Sequence, residues 1–275
     1  MEKKQSFDLL FCSSFFAFLL VLWPAMSQEV ENQREFDYNT NGTRGPAHWG
    51  DIRPEWHTCR TGQMQSPIDL LNQRVRIVSH FTDLKINYSS SNATLKNRGH
   101  DIMLQWSGSA GYMEVNRSRY FLRQIHWHSP SEHTINGRRF ALEAHLVHQS
   151  QTGNIAVIGI LYNIGQPDYF LSTMRQHFID ISTTQRDKLL NVVNPSRLRM
   201  RSSLYYRYIG SLTVPPCSQN VLWTIVRKVR TVAPDQVNLL RVAVHDDSNT
   251  NARPLQPLNN RNVQLRIKAS VEGAE

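Results

Sequence analysis

Short runs rich in β-branched and aromatic residues dominate the chain, the composition of strands. Runs of this kind cover 84–88, 101–106, 120–128, 140–148, 155–162, 221–229 and 263–267. Helical spacing is confined to 169–178, to 185–193, and to a short stretch opened by Pro234 and Asp235 that ends near Arg241. Between two of the strand runs stands Asn136-Gly137, the strongest short hairpin signal, in a loop of two residues or more. The pattern predicts a mainly β fold: a single domain with a large central, mostly antiparallel twisted sheet of about ten strands and a few short peripheral helices.

The start of the chain departs from that pattern. Lys3 and Lys4 lead into an apolar stretch over 9–23, followed by Ala25-Met26-Ser27, the order of a secretory signal peptide over 1–27. Asp8, Ser13 and Ser14 interrupt the stretch, which falls short of the roughly 20 apolar residues a spanning helix needs. No later segment is apolar enough to cross a bilayer, so no membrane span is expected. Residues 28–47 are polar and read as a flexible lead-in, 48–268 as the domain, and 269–275 as a tail. Export to the extracellular space or cell wall follows, with a plastid reached through the secretory route as the alternative.

Export fits the cysteines. Cys12 leaves with the signal, and Cys59 and Cys217 remain as an even pair that an oxidising compartment would join; two buried thiols are the alternative reading. Acceptor sequons for glycosylation stand at Asn41, Asn87, Asn92 and Asn116, while Asn194 is blocked by Pro195. The net charge of +9 raises the question of a polyanion partner. The arginines are spread along the chain, with local clusters only at 197–201 and 227–230, and no nucleic-acid motif accompanies them. Nucleic acid is not an expected partner, and a polyanion-binding protein would rest on charge alone.

Five of the eleven histidines lie between His126 and His148. Residues two apart on a strand share a face, so His126 and His128 point one way while Ile125 and Trp127 pack behind. On the partner run Glu143, His145 and Val147 share one face. His126, His128 and His145 can converge, and three neutral imidazoles with an open fourth position are what catalytic Zn²⁺ takes. Gln124 and Glu143 each precede a ligand by two residues and suit the role of orienting group; a surface glutamine and a salt-bridging glutamate are the plainer readings.

The segments Gln-Ile-His-Trp-His-Ser-Pro-Ser-Glu-His-Thr (124–134), Glu-Ala-His-Leu-Val-His (143–148) and Gly-Ser-Leu-Thr-Val-Pro-Pro-Cys (210–217) resemble the α-class carbonic anhydrases, most of all the secreted plant and bacterial members. Supporting stretches are Gln-Ser-Pro-Ile-Asp-Leu (65–70), Asn-Arg-Gly-His (97–100), and Asn-Ala-Arg-Pro-Leu-Gln-Pro-Leu-Asn-Asn-Arg (251–261), and the resemblance runs from about Trp49 to Lys268. It implies zinc-dependent, reversible hydration of carbon dioxide to bicarbonate and a proton, with sulfonamides or anions as inhibitors at the metal. Thr213 and Glu132 resemble the pair that orients the attacking hydroxide, and His100 matches the proton-shuttle position, an exposed imidazole. Val147, Val157, Leu212, Val214 and Trp223 resemble the substrate pocket. Gln124, Glu143 and Asn251 resemble the groups behind the ligands, and Cys59 and Cys217 the disulfide of secreted members. Without the resemblance, Thr213 reads as a loop threonine, Glu132 as a surface acid and His100 as a surface histidine. Arg98, Met103 and Val214 replace polar residues common in the family, and Asp51 replaces a frequent tyrosine. A relative that keeps this fold as a storage or defence protein with weak or no catalysis is the alternative, and the oligomeric state is open.

Overall fold

The computed structural model describes residues 29–78, 84–184, 186–200, 204–246 and 248–267. The expected signal peptide over 1–27 and the tail over 269–275 lie outside these residues. In chain order the strands are β1 (Asp69–Leu70), β2 (Val75–Val78), β3 (Lys85–Tyr88), β4 (Ser91–Asn97), β5 (Ile102–Trp106), β6 (Gly111–Val115), β7 (Ser118–His128), β8 (Thr134–Ile135), β9 (Arg138–Arg139), β10 (Leu142–Gln149), β11 (Ile155–Ile164), β12 (Lys188–Val193), β13 (Tyr205–Ser211), β14 (Gln219–Val232) and β15 (Val263–Arg266). The α-helices are α1 (Trp49–Ile52), α2 (Thr58–Thr61), α3 (Tyr169–Thr184) and α4 (Pro234–Val242).

Twelve strands form one sheet in the order β12-β4-β5-β7-β10-β11-β14-β13-β15-β2, with the antiparallel β3–β6 pair branching from β7. Pairing is antiparallel except for β11 with β14 and β15 with β2, so the sheet is mixed and somewhat larger than the pattern predicts. The long strands read as nearly continuous apolar runs because both faces are covered. One face buries Ile125, Trp127, Leu146, Ile158 and Ile160 beneath α3. The other buries Val147, Val157, Leu161, Tyr208, Leu212 and Trp223. Asp168 opens α3 by accepting the Leu171 N–H at 3.0 Å. Its inward stripe is Phe170, Leu171, Met174, Phe178 and Ile181, each worth about 1.5–3 kcal/mol of burial.

Asn136 and Gly137 have φ of 49° and 75°, the two left-handed positions of a type I′ turn, and close the small β8–β9 hairpin. That hairpin is an excursion between β7 and β10, which pair directly.

Two expectations are corrected. The helix expected over 185–193 gives way to a strand: Lys188–Val193 is edge strand β12, paired with β4, with Leu190 buried while Leu189 and Val192 face outward. Backbone pairing to an open sheet edge outweighs the helical spacing of a polar, weakly apolar segment. The lead-in is also not free. Phe36 is fully buried, Tyr38 is buried beside it, and Phe36 meets Trp49 with ring centroids 4.9 Å apart. Two aromatic anchors in a polar stretch tie 29–47 down, which its average composition conceals. Cys59 and Cys217 form a disulfide with Cα atoms 4.9 Å apart, tying α2 to the loop after Thr213.

Candidate metal centre

Register brings the histidines together. In the β7–β10 pair His145 lies opposite His126, and Glu143 opposite His128. The alternation that sends Ile125, Trp127, Ala144 and Leu146 into the core beneath α3 sends His126, His128 and His145 to the other face. Ring centroids are 5.0 Å apart for His126 and His128, 5.2 Å for His126 and His145, and 4.6 Å for His128 and His145. One nitrogen from each lies within 4.8 Å of the others, and all three residues are buried.

The remaining ring nitrogens are each spoken for by an acceptor. His126 Nδ1 donates to Gln124 Oε1 at 2.8 Å, His128 Nδ1 to the Asn251 carbonyl at 2.8 Å, and His145 Nε2 to Glu143 Oε1 at 2.9 Å. These acceptors assign the tautomers and leave His126 Nε2, His128 Nε2 and His145 Nδ1 with lone pairs. His126 Nε2 and His128 Nε2 are buried and have no hydrogen-bond partner among the described residues. An orphaned buried polar atom costs on the order of 1–3 kcal/mol, which a metal ion would relieve. Burial pushes the pKa of His126 well below the ordinary imidazole range, that of His128 down to about 4, and that of His145 down as well. Neutral imidazoles of this kind are the donors zinc takes, with room for a fourth, non-protein ligand. A second cluster, His133, Glu143 and His145, is saturated by hydrogen bonds among its own members and offers no comparable set of lone pairs.

Behind the triad Glu143 is a hub. Its Oε2 accepts the backbone N–H of Glu132 and of His133, each at 2.8 Å, and its Oε1 accepts His133 Nδ1 at 2.7 Å besides His145. Burial pushes its pKa up, but the adjacent His133 and His145 outweigh that and hold it well below the usual carboxylate range. His133 Nε2 then accepts from the Tyr208 hydroxyl at 2.7 Å, and Tyr208 meets Ser66 Oγ at 2.8 Å. Glu132 is fully buried. Its Oε1 accepts the Arg253 backbone N–H at 2.8 Å, and its Oε2 lies 3.6 Å from His128 Nε2 and 3.9 Å from His145 Nδ1. Burial drives its pKa well above the usual range, opposed by a hydrogen bond from Thr213.

The other sequence-derived residues divide. Val147, Val157, Leu212 and Trp223 share one apolar cluster, and the Trp223 ring lies 4.9 Å from that of His145. Val214 does not join that wall; its side chain packs with Trp49, Trp56 and the disulfide, because the loop after Thr213 turns toward the N-terminal aromatics. His100 is not an exposed imidazole. Its Nδ1 meets Asp246 Oδ2 at 2.8 Å and its Nε2 meets the Phe36 carbonyl at 2.7 Å, so neither nitrogen is left to pass a proton along a water chain. The buried segment around Phe36 covers the face on which His100 was expected to reach solvent. Asn41, Asn87, Asn92 and Asn116 are all exposed.

Three contributors escape a reading of the sequence. Arg253 is 1% exposed and donates from Nη1 to Gln65 Oε1 and the Ser66 carbonyl and from Nη2 to the Cys59 carbonyl, fixing the backbone that holds Glu132. Its place in the Asn-Ala-Arg-Pro stretch is the only signal. Tyr208 carries the relay behind Glu143, and Glu29 contacts Gln124.

The model of the family described as eukaryotic-type carbonic anhydrase matches residues 44–267. Alpha carbonic anhydrase 7 of Arabidopsis thaliana is 55% identical over 238 residues, 86% of either chain. A dioscorin crystallised with ascorbate superposes with a TM-score of 0.83 at 45% identity, over 85% of this chain and 98% of the dioscorin. The α-carbonic anhydrase of Thermovibrio ammonificans, in complex with the inhibitor sulfanilamide, superposes with a TM-score of 0.73 at 32% identity, over 86% of this chain and all of that one. With the fold, the length of the match and the identities in agreement, the chain belongs to the eukaryotic-type carbonic anhydrase family.

Proposed function

We propose that the protein binds zinc through His126, His128 and His145 and hydrates carbon dioxide reversibly to bicarbonate and a proton. The observation that carries this reading is the set of three buried, converging imidazoles, each with its other ring nitrogen held by an acceptor so that three lone pairs face one point. Zinc supplies the Lewis acidity that makes a hydroxide nucleophile available near neutral pH, its role in this family. The chain's own residues do the rest. Thr213, hydrogen-bonded to Glu132, keeps oxygen lone pairs that can accept a hydrogen bond from the nucleophile, which restricts the nucleophile's orientation. Arg253 fixes Glu132 from behind through its backbone N–H. Val147, Val157, Leu212 and Trp223 offer an apolar wall for a small apolar substrate and keep bulk water from it. Sulfonamides and small anions are the expected inhibitors, as the sulfanilamide-bound relative suggests.

The test is direct. Purified protein is expected to carry stoichiometric zinc and to hydrate carbon dioxide well above the buffer rate in stopped-flow, with the gain removed by a sulfonamide. Zinc-loaded protein no faster than buffer would replace this reading with that of a carbonic anhydrase-like storage or defence protein.

The same reading extends to location. The Lys3-Lys4, apolar, Ala25-Met26-Ser27 order and the Cys59–Cys217 disulfide support export through the secretory pathway, to the cell wall or to a plastid reached by that route. Expressed in a secreting host, the protein is expected in the medium with residues 1–27 removed, and N-terminal sequencing checks this; an intact Met1 on the exported chain would refute it.

A further inference from the structure

The residues over 29–38 do more than fill space. Val30 N–H donates to the Pro215 carbonyl at 3.2 Å, and Gln33 N–H to the Arg98 carbonyl at 2.7 Å. Gln33 Nε2 reaches Asp101 at 3.3 Å, and Phe36 is buried against Trp49. The segment is therefore a strap held at several points across the edge of the site, from the loop after Thr213 to the β4–β5 turn. Near its start, the Glu29 side chain is 8% exposed and its Oε2 accepts from Arg98 Nη1 at 2.7 Å and from Gln124 Nε2 at 3.1 Å. It lines a cavity of about 240 Å³ together with Gln124, Met103, Val147 and Leu212.

An ionised carboxylate only accepts hydrogen bonds, and a carboxamide has one donating and one accepting end. Glu29 therefore obliges Gln124 to present its NH₂ group to the strap and its oxygen to His126. Gln124 Oε1 in turn holds the proton on His126 Nδ1, at 2.8 Å, and leaves Nε2 as a lone-pair donor. If the acceptor at 29 is lost, nothing on the strap side prevents the Gln124 amide from turning over. A reversed amide would donate to His126 Nδ1 and favour the tautomer with its proton on Nε2, which leaves no lone pair facing the triad.

We propose that Glu29 is a positioning residue for the metal centre: acting through Gln124, it selects the metal-binding tautomer of His126. This rests on the reading that zinc occupies the triad. Arg98 keeps its bonds to Asp101 when Glu29 is removed, and the strap keeps Val30, Gln33 and Phe36, so the change is local.

The test compares the full wild-type chain with Glu29→Ala and Glu29→Gln. Two readouts are taken: zinc affinity by chelator competition, and the His126 ring nitrogens of the zinc-free protein by ¹⁵N-resolved NMR. Glu29→Ala is expected to weaken zinc binding by about 10- to 100-fold and to turn a single His126 tautomer into a mixture, with the thermal melt little changed. Glu29→Gln, whose amide oxygen still accepts from Gln124, is expected to restore most of the affinity and the single tautomer. Unchanged zinc affinity together with an unchanged tautomer in Glu29→Ala overturns the proposal. Wild-type protein that binds no zinc sinks the zinc reading instead, and the tautomer of the zinc-free protein still decides the role of Glu29.

Discussion

His145→Ala is expected to bring zinc content close to zero and carbon dioxide hydration down to the buffer rate, while the chain still folds. His145 supplies one of three converging nitrogens from β10, opposite His126 in the register. Two imidazoles from β7 alone cannot complete the set zinc prefers. The fold has other supports. The apolar clusters on the two faces of the sheet do not include His145, and the disulfide closes the loop after Thr213 independently of it. The mutation leaves a cavity beside Trp223 and removes one of the four donors to Glu143, a loss in the usual range of about 1–3 kcal/mol against a total stability on the order of 5–15 kcal/mol. Metal analysis, stopped-flow hydration and far-UV circular dichroism measure the three quantities. A variant that retained stoichiometric zinc, or that unfolded outright, would contradict the account.

The triad was legible because strand periodicity is strict. Once the runs containing Gln-Ile-His-Trp-His and Glu-Ala-His are strands, the faces of His126, His128 and His145 follow, and the excursion that carries the Asn136-Gly137 turn returns the chain to pair them antiparallel. What the alternation cannot give is the partner of an edge. β12 and β4 carry few inward apolar residues, only Leu190 on one and Ala93 and Leu95 on the other, and their identity as strands comes from backbone bonds, of β12 to β4 and of β4 to β5. The N-terminal strap was hidden for a related reason. Its polar composition suits a solvated coil, yet Phe36, Tyr38, Gln33 and Glu29 each find a partner far away in sequence, and such contacts leave no periodic trace. His100 fell in the same gap: its motif fixes where the backbone goes, whereas Phe36 and Asp246 determine that the ring is enclosed. Arg253 and Tyr208 were missed because a buried guanidinium or phenol is identified only by the acceptors around it.

Glu143→Gln is expected to destabilise the protein by about 1–3 kcal/mol for each of the two buried donors it leaves without an acceptor, and to weaken zinc binding by about 10- to 100-fold. The substitution conserves shape, so packing alone would make it nearly neutral. The hydrogen-bond count argues otherwise. Glu143 Oε1 accepts from His133 Nδ1 and His145 Nε2, and its Oε2 accepts from the backbone N–H groups of Glu132 and His133. A glutamine has one accepting end, so either orientation places an NH₂ group against two donors. If it faces the backbone amides, the loop carrying Glu132 loses its anchor; if it faces the rings, His145 loses the acceptor that keeps its proton on Nε2 and its Nδ1 free. The side chain has little room to evade this, since a Cβ on Gly159 would lie 3.0 Å from Glu143 Oε1. Chemical denaturation and chelator competition on the same variant read the two effects separately. Loss of stability without loss of zinc affinity would place the NH₂ group toward the backbone, loss of both would place it toward the rings, and a variant with neither loss would show that the carboxylate's charge is not what holds the centre together.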